Sequence, residues 1–80
     1  MTLDMLKVGR VGKVIGIHSR DAERRRMVDL GILPGTKIEN VMLSPLSDPT
    51  AYRIRNAVVA LRREQAKLIE VEEIIPTNEQ

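Results

Sequence analysis

Aromatic residues are almost absent from this chain: Tyr52 is the only one, and neither phenylalanine nor tryptophan occurs. A hydrophobic core must therefore be built from valine, isoleucine, leucine and methionine. Cysteine is also absent, which excludes disulfide bonds and thiolate metal sites. The longest uninterrupted apolar runs are only a few residues, far short of the roughly 20 that a membrane-spanning helix requires.

The sequence also lacks a secretory signal and a large net charge. The first residues, MTLDMLK, contain neither a long hydrophobic region nor a small-residue cleavage site, so we predict a cytoplasmic protein. A net charge of +2 permits an acidic partner but does not require nucleic acid. The 80 residues suffice for one domain. We assign residues 1–75 to it and expect residues 76–80 to form a flexible polar tail.

The first half of the chain predicts a strand followed by a helix. KVIGI at 13–17 is typical of a strand, and Gly16 within it indicates a bulge or a tight bend. A helix is predicted over residues 22–30. Its N-terminus can be capped by the side-chain oxygen of Ser19 or Asp21, because either can accept a hydrogen bond from a free backbone N–H of the first turn.

LGILPGTKI, at residues 30–38, predicts a sharp corner between that helix and the next strand. Gly31 supplies the left-handed residue that closes a helix, and Pro34 prevents the helix from resuming. Pro34 and Gly35 together suit a type II turn, in which proline fixes the first central φ and glycine supplies the positive φ of the second.

Alternating apolar residues after the corner predict the remaining strands. The apolar positions of 36–44 change parity, which indicates a bulge. Asn56 tolerates a positive φ and can form a tight hairpin. The segments are a strand at 36–44, a strand at 51–56, a strand at 57–61, a helical turn at 62–67 and a strand at 68–74. We predict a mainly β protein, a small bent barrel of about five strands with one short α-helix inserted after the first strand.

More than half of the chain resembles the FeoA family, the small cytoplasmic proteins of bacterial ferrous iron transport. The matching run is LGILPGTKIENVMLSPLSDPTAYRIRNAVVALRREQAKLIEV. Its features are specific in combination: Leu30-Gly31 before Pro34-Gly35, then Pro45 with Asp48-Pro49, then Leu61-Arg62. Ser47 and Asn56 stand where the family often has glycine, and both can occupy turn conformations.

The resemblance implies an SH3-like barrel and a partner, the membrane-embedded FeoB permease with its cytoplasmic GTPase domain. It also implies a function: a non-catalytic accessory of Fe(II) uptake that docks on the permease and modulates its assembly or its GTPase and transport activity. Transition-metal binding is associated with the family as a whole. A related alternative is a stand-alone module of the kind that metal-responsive repressors carry at their C-terminus.

Residues suited to catalysis or to cofactor binding are few. His18 is the only histidine, no serine has the context of an activated nucleophile, and no glycine-rich phosphate loop occurs. We therefore predict a protein that is not an enzyme and that binds no cofactor. His18, Asp21 and Glu23 are weak candidates for a metal site, because a selective site needs more convergent ligands than these three provide.

Exposed arginines offer two further hypotheses. An RNA-binding barrel could use its arginines on phosphates, but it would lack the aromatic side chains on which single-stranded bases stack. The same scarcity of aromatics argues against a groove for proline-rich peptides. Protein docking is the favoured alternative, since prolines pre-stiffen the 45–49 loop and arginine is frequent at interface cores. The predicted surface comprises Arg24, Arg25, Arg26, Pro45, Asp48 and Pro49.

Overall fold

The computed structural model describes residues 1–43 and 48–75 of the chain. Pro45, Ser47 and the predicted tail 76–80 lie outside the described residues. A short 3₁₀ turn, Leu3–Met5, opens the chain. It is followed by β1 Val11–Ile17, α1 Asp21–Asp29, β2 Lys37–Leu43, β3 Thr50–Ile54, β4 Ala57–Leu61, α2 Arg63–Ala66 and β5 Ile69–Ile74.

The five strands form one antiparallel sheet in the order β4-β3-β2-β1-β5. The predicted mainly β fold, with one helix of more than a single turn inserted after the first strand, is confirmed. The four-residue helix α2 connects β4, at one edge of the sheet, with β5 at the other. The strands from β1 to β4 therefore follow one another across the sheet in sequence order, whereas β5 returns to pair with β1.

Both predicted bulges are present. The register between β1 and β5 shifts between Val14 and Gly16, and the register between β2 and β3 shifts between Asn40 and Met42. A bulge adds one residue to one strand of a pair, which bends that strand and increases its twist. Two central strands thus carry the irregularities that curve a small sheet around its core.

An aliphatic core with one aromatic residue fills the concave side of the sheet, as the composition predicts. Tyr52 is only 2% exposed, and its hydroxyl lies 3.4 Å from the carbonyl oxygen of Leu3, to which it donates. The buried hydrophobic residues are Leu3, Leu6, Val14, Met27, Ile32, Ile38, Tyr52, Ile54, Leu61, Ala66, Ile69 and Val71.

The two edges of the sheet differ. On the β5 edge, the N–H of Val71 donates to the carbonyl oxygen of Met1 at 2.7 Å, and Thr2 forms an isolated bridge with Glu70. The first two residues therefore cover part of that edge. On the opposite edge, β4 pairs with β3 alone within the described part of the chain.

The corner after α1 is built by two glycines in the left-handed region. Gly31 has a φ of +92° where the helix ends, and Gly35 has a φ of +94° in the following turn. The N–H of Thr36 donates to the carbonyl oxygen of Leu33 at 2.9 Å and closes this turn around Pro34 and Gly35. Between the two glycines, Ile32 is fully buried and fixes the corner against the core.

The start of α1 differs from the prediction. The helix begins at Asp21, Arg20 is its N-cap, and no side chain caps it. Ser19 is buried instead, and its hydroxyl donates to the sulfur of Met27 at 3.6 Å. Asp21 itself has a φ of +56°. The predicted cap by Ser19 or Asp21 is wrong because Ser19 faces the core and Asp21 lies within the helix.

The β3–β4 hairpin also differs in one detail. Ile54 pairs with Ala57, which leaves a turn of two residues, Arg55 and Asn56. The positive φ falls on Arg55, at +58°, and not on Asn56. Turns of type II′ need a positive φ only at their first central residue, so position within the turn outweighs the greater tolerance of asparagine.

Candidate functional site

The three consecutive arginines of α1 are all exposed. Arg24 reaches back to β1, where its Nη1 donates to the carbonyl oxygen of Ile17 at 3.4 Å. Arg25 and Arg26 line a shallow depression of about 510 Å³ together with Asp21 and Asp29.

Asp21 and Asp29 lie on the same helix as these arginines. No ion pair joins them anywhere in residues 1–43 and 48–75. Two arginines and two aspartates nevertheless share one depression, so its formal charges cancel. The α1 surface therefore offers unpaired guanidinium groups in a locally neutral setting.

Asp48 has a contact that the sequence did not predict. Its Oδ1 accepts a hydrogen bond from the backbone N–H of Arg63 at 2.9 Å, 15 residues further along the chain. Arg63 is the first residue of α2, so its N–H has no partner within the helix. Asp48 thus stabilises the start of α2 from outside, and Pro49, joined to it by a cis peptide bond, leads directly into β3.

The weak metal candidates are not brought together. His18 lies beside Glu70, with 3.5 Å between Nε2 and Oε1, while Asp21 and Glu23 are exposed on the first turn of α1. Over the part of the chain that the structure describes, no three histidine, aspartate or glutamate side chains form a group that could hold a metal ion.

Glu70 is the centre of a small charged cluster on the β5 edge. Its Oε2 accepts a hydrogen bond from the N-terminal ammonium of Met1 at 2.9 Å, and its Oε1 faces His18. The ammonium lowers the pKa of Glu70 below its ordinary value, desolvation opposes this in part, and His18 lowers the pKa further. The interaction favours the ionised carboxylate.

We expect Glu70 to lose its proton at a lower pH than an ordinary glutamate, measured by the side-chain carboxyl ¹³C shift during an NMR titration. A folded-state pKa below the unfolded value stabilises the fold above the unfolded pKa, and this contribution disappears as the pH falls through the folded pKa. Acetylating the N-terminus should raise the pKa of Glu70 more than His18→Ala does, because the ammonium is the larger cause. An equal or reversed order would contradict this assignment.

A cavity of about 330 Å³ lies between the 3₁₀ turn and the sheet, with Asn40 and Tyr52 in its lining. The Nδ2 of Asn40 donates to the carbonyl oxygen of Leu6 at 2.8 Å, while its buried Oδ1 has no hydrogen-bond partner among the described residues. Burial raises the pKa of Tyr52 above its ordinary value, and a hydrogen bond with Thr50 opposes that shift. The hydroxyl of Tyr52 therefore stays protonated at neutral pH.

The curved five-stranded antiparallel sheet, with a short helix after its first strand, defines a small SH3-like domain. None of the helices in the described ranges is long and apolar enough to cross a membrane. The model of the FeoA domain matches residues 1–73, and the chain belongs to the FeoA family. The resemblance drawn from the sequence is thereby confirmed.

Similar proteins include a curated relative and two solved structures. The relative is an Fe(2+) transport protein A/Fe(2+) transporter FeoB fusion protein of Porphyromonas gingivalis, 39% identical over 72 residues, which are 90% of this chain and 8% of that protein. The NMR structure of a FeoA-like protein from Clostridium acetobutylicum has a TM-score of 0.88 and 34% identity, over all of this chain and 93% of that one.

The second structure is a crystal structure of Stenotrophomonas maltophilia FeoA complexed with zinc, described as a prokaryotic SH3 domain protein. It has a TM-score of 0.79 and 29% identity, over 90% of this chain and 89% of that one. The chain spans less than a tenth of the length of its fusion relative.

Proposed function

We propose that this protein is a non-catalytic, cytoplasmic accessory of Fe(II) uptake that docks on a FeoB-type permease and modulates its assembly or its GTPase and transport activity. The fusion protein of Porphyromonas gingivalis carries the proposal, because it joins a sequence similar to this chain to an Fe(2+) transporter within one polypeptide. Joining two domains raises their effective concentration for each other, which favours an interaction between them.

Modulation without catalysis requires differential binding. A binding domain shifts the equilibrium of its partner only if it binds one state of the partner more tightly than another. A GTPase domain offers two such states, one with GDP bound and one with GTP bound. The proposal therefore predicts unequal affinities for these two states.

Our proposed contact with the permease is the surface predicted from the sequence, which comprises Arg24, Arg25, Arg26, Pro45, Asp48 and Pro49. Its three arginines form the α1 surface. Arg25 and Arg26 are exposed and make no ion pair within the described residues, so a partner could engage them without breaking an existing interaction. Asp48 is a poor probe of this surface, because its carboxylate stabilises α2. A substitution there would mix effects on folding with effects on binding, so we place the test at Arg25.

We expect Arg25→Glu to weaken binding to the isolated cytoplasmic domain of a FeoB-type permease about tenfold, or about 1.4 kcal/mol. Isothermal titration calorimetry with the GDP-loaded and the GTP-analogue-loaded domain would measure it. Lys67→Glu is the matched control, since it makes the same charge change at an exposed position after α2.

The two parts of the proposal fail separately. Wild-type protein that binds neither nucleotide state of the permease domain would contradict docking itself. If wild-type protein binds and Arg25→Glu binds equally well, docking stands and the α1 surface is wrong. Binding to single-stranded RNA in preference to the permease domain would instead favour the RNA-binding alternative.

A further inference from the structure

A groove of about 650 Å³ lies on the outer face of the sheet, beside the corner that follows α1. We call it the corner groove. One wall is formed by the turn from Leu33 to Thr36 together with Arg55 of the β3–β4 turn, which lies close to the corner. Beside this wall, the floor is formed by outward-facing residues of the three central strands, including Val11, Glu39 and Arg53.

Strand pairing explains why these floor residues meet. Val11 of β1 pairs with Glu39 of β2, which pairs in turn with Arg53 of β3, so the three side chains lie in one row across the sheet. The neighbouring residues Ile38 and Ile54 are buried on the other face. Because side chains alternate between the faces of a strand, the row that contains Glu39 must point away from the core.

Arg55 is held at the groove by two unusual local features. It adopts a φ of +58°, which is uncommon for a residue with a long side chain. It also lies close to Gly31: a Cβ built on that glycine would be 3.1 Å from the Nε of Arg55. The absence of a side chain at the end of α1 thus makes room for the guanidinium group beside the corner.

The groove is basic. Lys37, Arg53 and Arg55 contribute three positive charges to its lining, and Glu39 contributes the one negative charge. Glu39 is engaged by Arg53, whose Nη1 lies 3.1 Å from its Oε1. The side chains of Lys37 and Arg55 have no ion pair or hydrogen-bond partner in the described part of the chain. Unlike the depression on α1, this groove therefore has an excess of positive charge.

Apolar side chains lie among these cations. Leu33 is 37% exposed at the corner, Pro34 beside it is also exposed, and Val11 is half-buried in the floor. Isolated exposed apolar residues are ordinary on a protein surface, but here they line the same concavity as two unpaired cations. The lining thus combines sites for carboxylates with an apolar site for a side chain.

We infer that the corner groove binds an extended acidic segment of a partner protein, with an apolar side chain against Leu33 and Val11 and carboxylates at Lys37 and Arg55. Positive and negative surfaces attract each other and fix the register of docking. A nucleic acid fits less well, since no aromatic side chain lines the groove for base stacking. The inference holds whether or not the permease is the partner that supplies this segment.

A peptide titration followed by ¹H–¹⁵N NMR tests this inference. The probe is an end-blocked octapeptide of alternating glutamate and leucine, compared with a lysine–leucine and a glutamate–serine octapeptide. We expect the glutamate–leucine peptide to shift the amides of Leu33, Lys37 and Arg55. Its binding should weaken when salt is raised from 50 to 300 mM, and the other two peptides should bind at least about fivefold more weakly.

Arg55→Asn is the informative variant, because asparagine tolerates a positive φ and the turn should survive the loss of charge. It should weaken the glutamate–leucine peptide about fivefold, whereas Lys67→Gln, which removes one charge after α2, should not. No binding at 2 mM peptide, shifts confined to Arg25 and Arg26, or equal binding of the lysine–leucine peptide would overturn the inference. Tighter binding of an eight-nucleotide uridine RNA in the same groove would also overturn it. All of these outcomes leave the proposed docking on the permease to its own test.

Discussion

Replacing Tyr52 with alanine is expected to lower the free energy of unfolding by about 3–5 kcal/mol. Domains have about 0.05–0.15 kcal/mol of stability per residue, or roughly 4–12 kcal/mol for a chain of this length. Tyr52 is 2% exposed in a core that is otherwise aliphatic, and no second aromatic residue exists to fill the space. The variant should therefore be partly or wholly unfolded at 37 °C.

Tyr52→Phe is the matched control. It keeps the ring and removes only the hydroxyl, together with its hydrogen bond with Thr50 and its long bond of 3.4 Å to the carbonyl of Leu3. The expected loss is about 1 kcal/mol or less. Urea denaturation followed by far-ultraviolet circular dichroism compares both variants without the tyrosine fluorescence that they lack. A loss below about 1.5 kcal/mol for Tyr52→Ala would mean that the core collapses around the cavity.

The second large effect is expected at Gly12 of β1, which has little room for a side chain. A Cβ at this position would lie 3.1 Å from both the Cβ and the Cγ2 of Val71, and 3.6 Å from the Cδ2 of Leu6. Both neighbours are buried, so neither can move into solvent. We expect Gly12→Val to destabilise the protein by about 1–3 kcal/mol or more through overpacking.

Gly16 provides the control within the same strand. A Cβ there would meet only the Cβ of Glu70, at 3.8 Å, which is ordinary contact. Gly16→Ala should therefore change the free energy of unfolding by less than about 0.5 kcal/mol. If crowding by the Cγ2 of Val71 is the cause, Gly12→Ala should cost less in a Val71→Ala background than in the wild type. Equal costs in the two backgrounds would contradict the role of Cγ2.

The sequence predicts the features that local periodicity determines. Tyr52 and Ile54 alternate with exposed residues and are buried as expected, and the parity change in 36–44 corresponds to the observed bulge. The turn at Pro34 and Gly35 follows from the limits that proline and glycine place on φ. In each case, the conformation depends on residues within a few positions of one another, so one short window contains the necessary information.

Contacts between segments that are distant in the sequence cannot be predicted from such a short window. Asp48 stabilises a helix that begins at Arg63. His18 lies against Glu70, a residue of β5 that is distant from it in the sequence. Serine is a residue type that often caps helices, but Ser19 packs against Met27 instead. The tertiary environment decides each of these interactions, and nothing in the local sequence distinguishes them from the alternatives.

The two candidate surfaces also differ in whether local sequence predicts them. The exposure of the α1 arginines follows from their place on a short polar helix. The corner groove does not, because its residues come from three separate strands and two turns. Val11, Glu39 and Arg53 become neighbours only through the register of the strands, which is established as the chain folds. An arginine in a left-handed turn is equally hard to anticipate, since asparagine beside it is the better candidate by propensity.

The return of β5 to β1 has a consequence for biosynthesis. Val11 of β1 pairs with Ile74 of β5. The ribosome therefore synthesises β1 well before its neighbour in the sheet, β5. Until then, Val14 lacks Val71, its partner across the two strands, and apolar surface of the nascent polypeptide stays accessible to chaperones. Pairing of β1 with β5 can therefore complete the sheet only after β5 has left the ribosome.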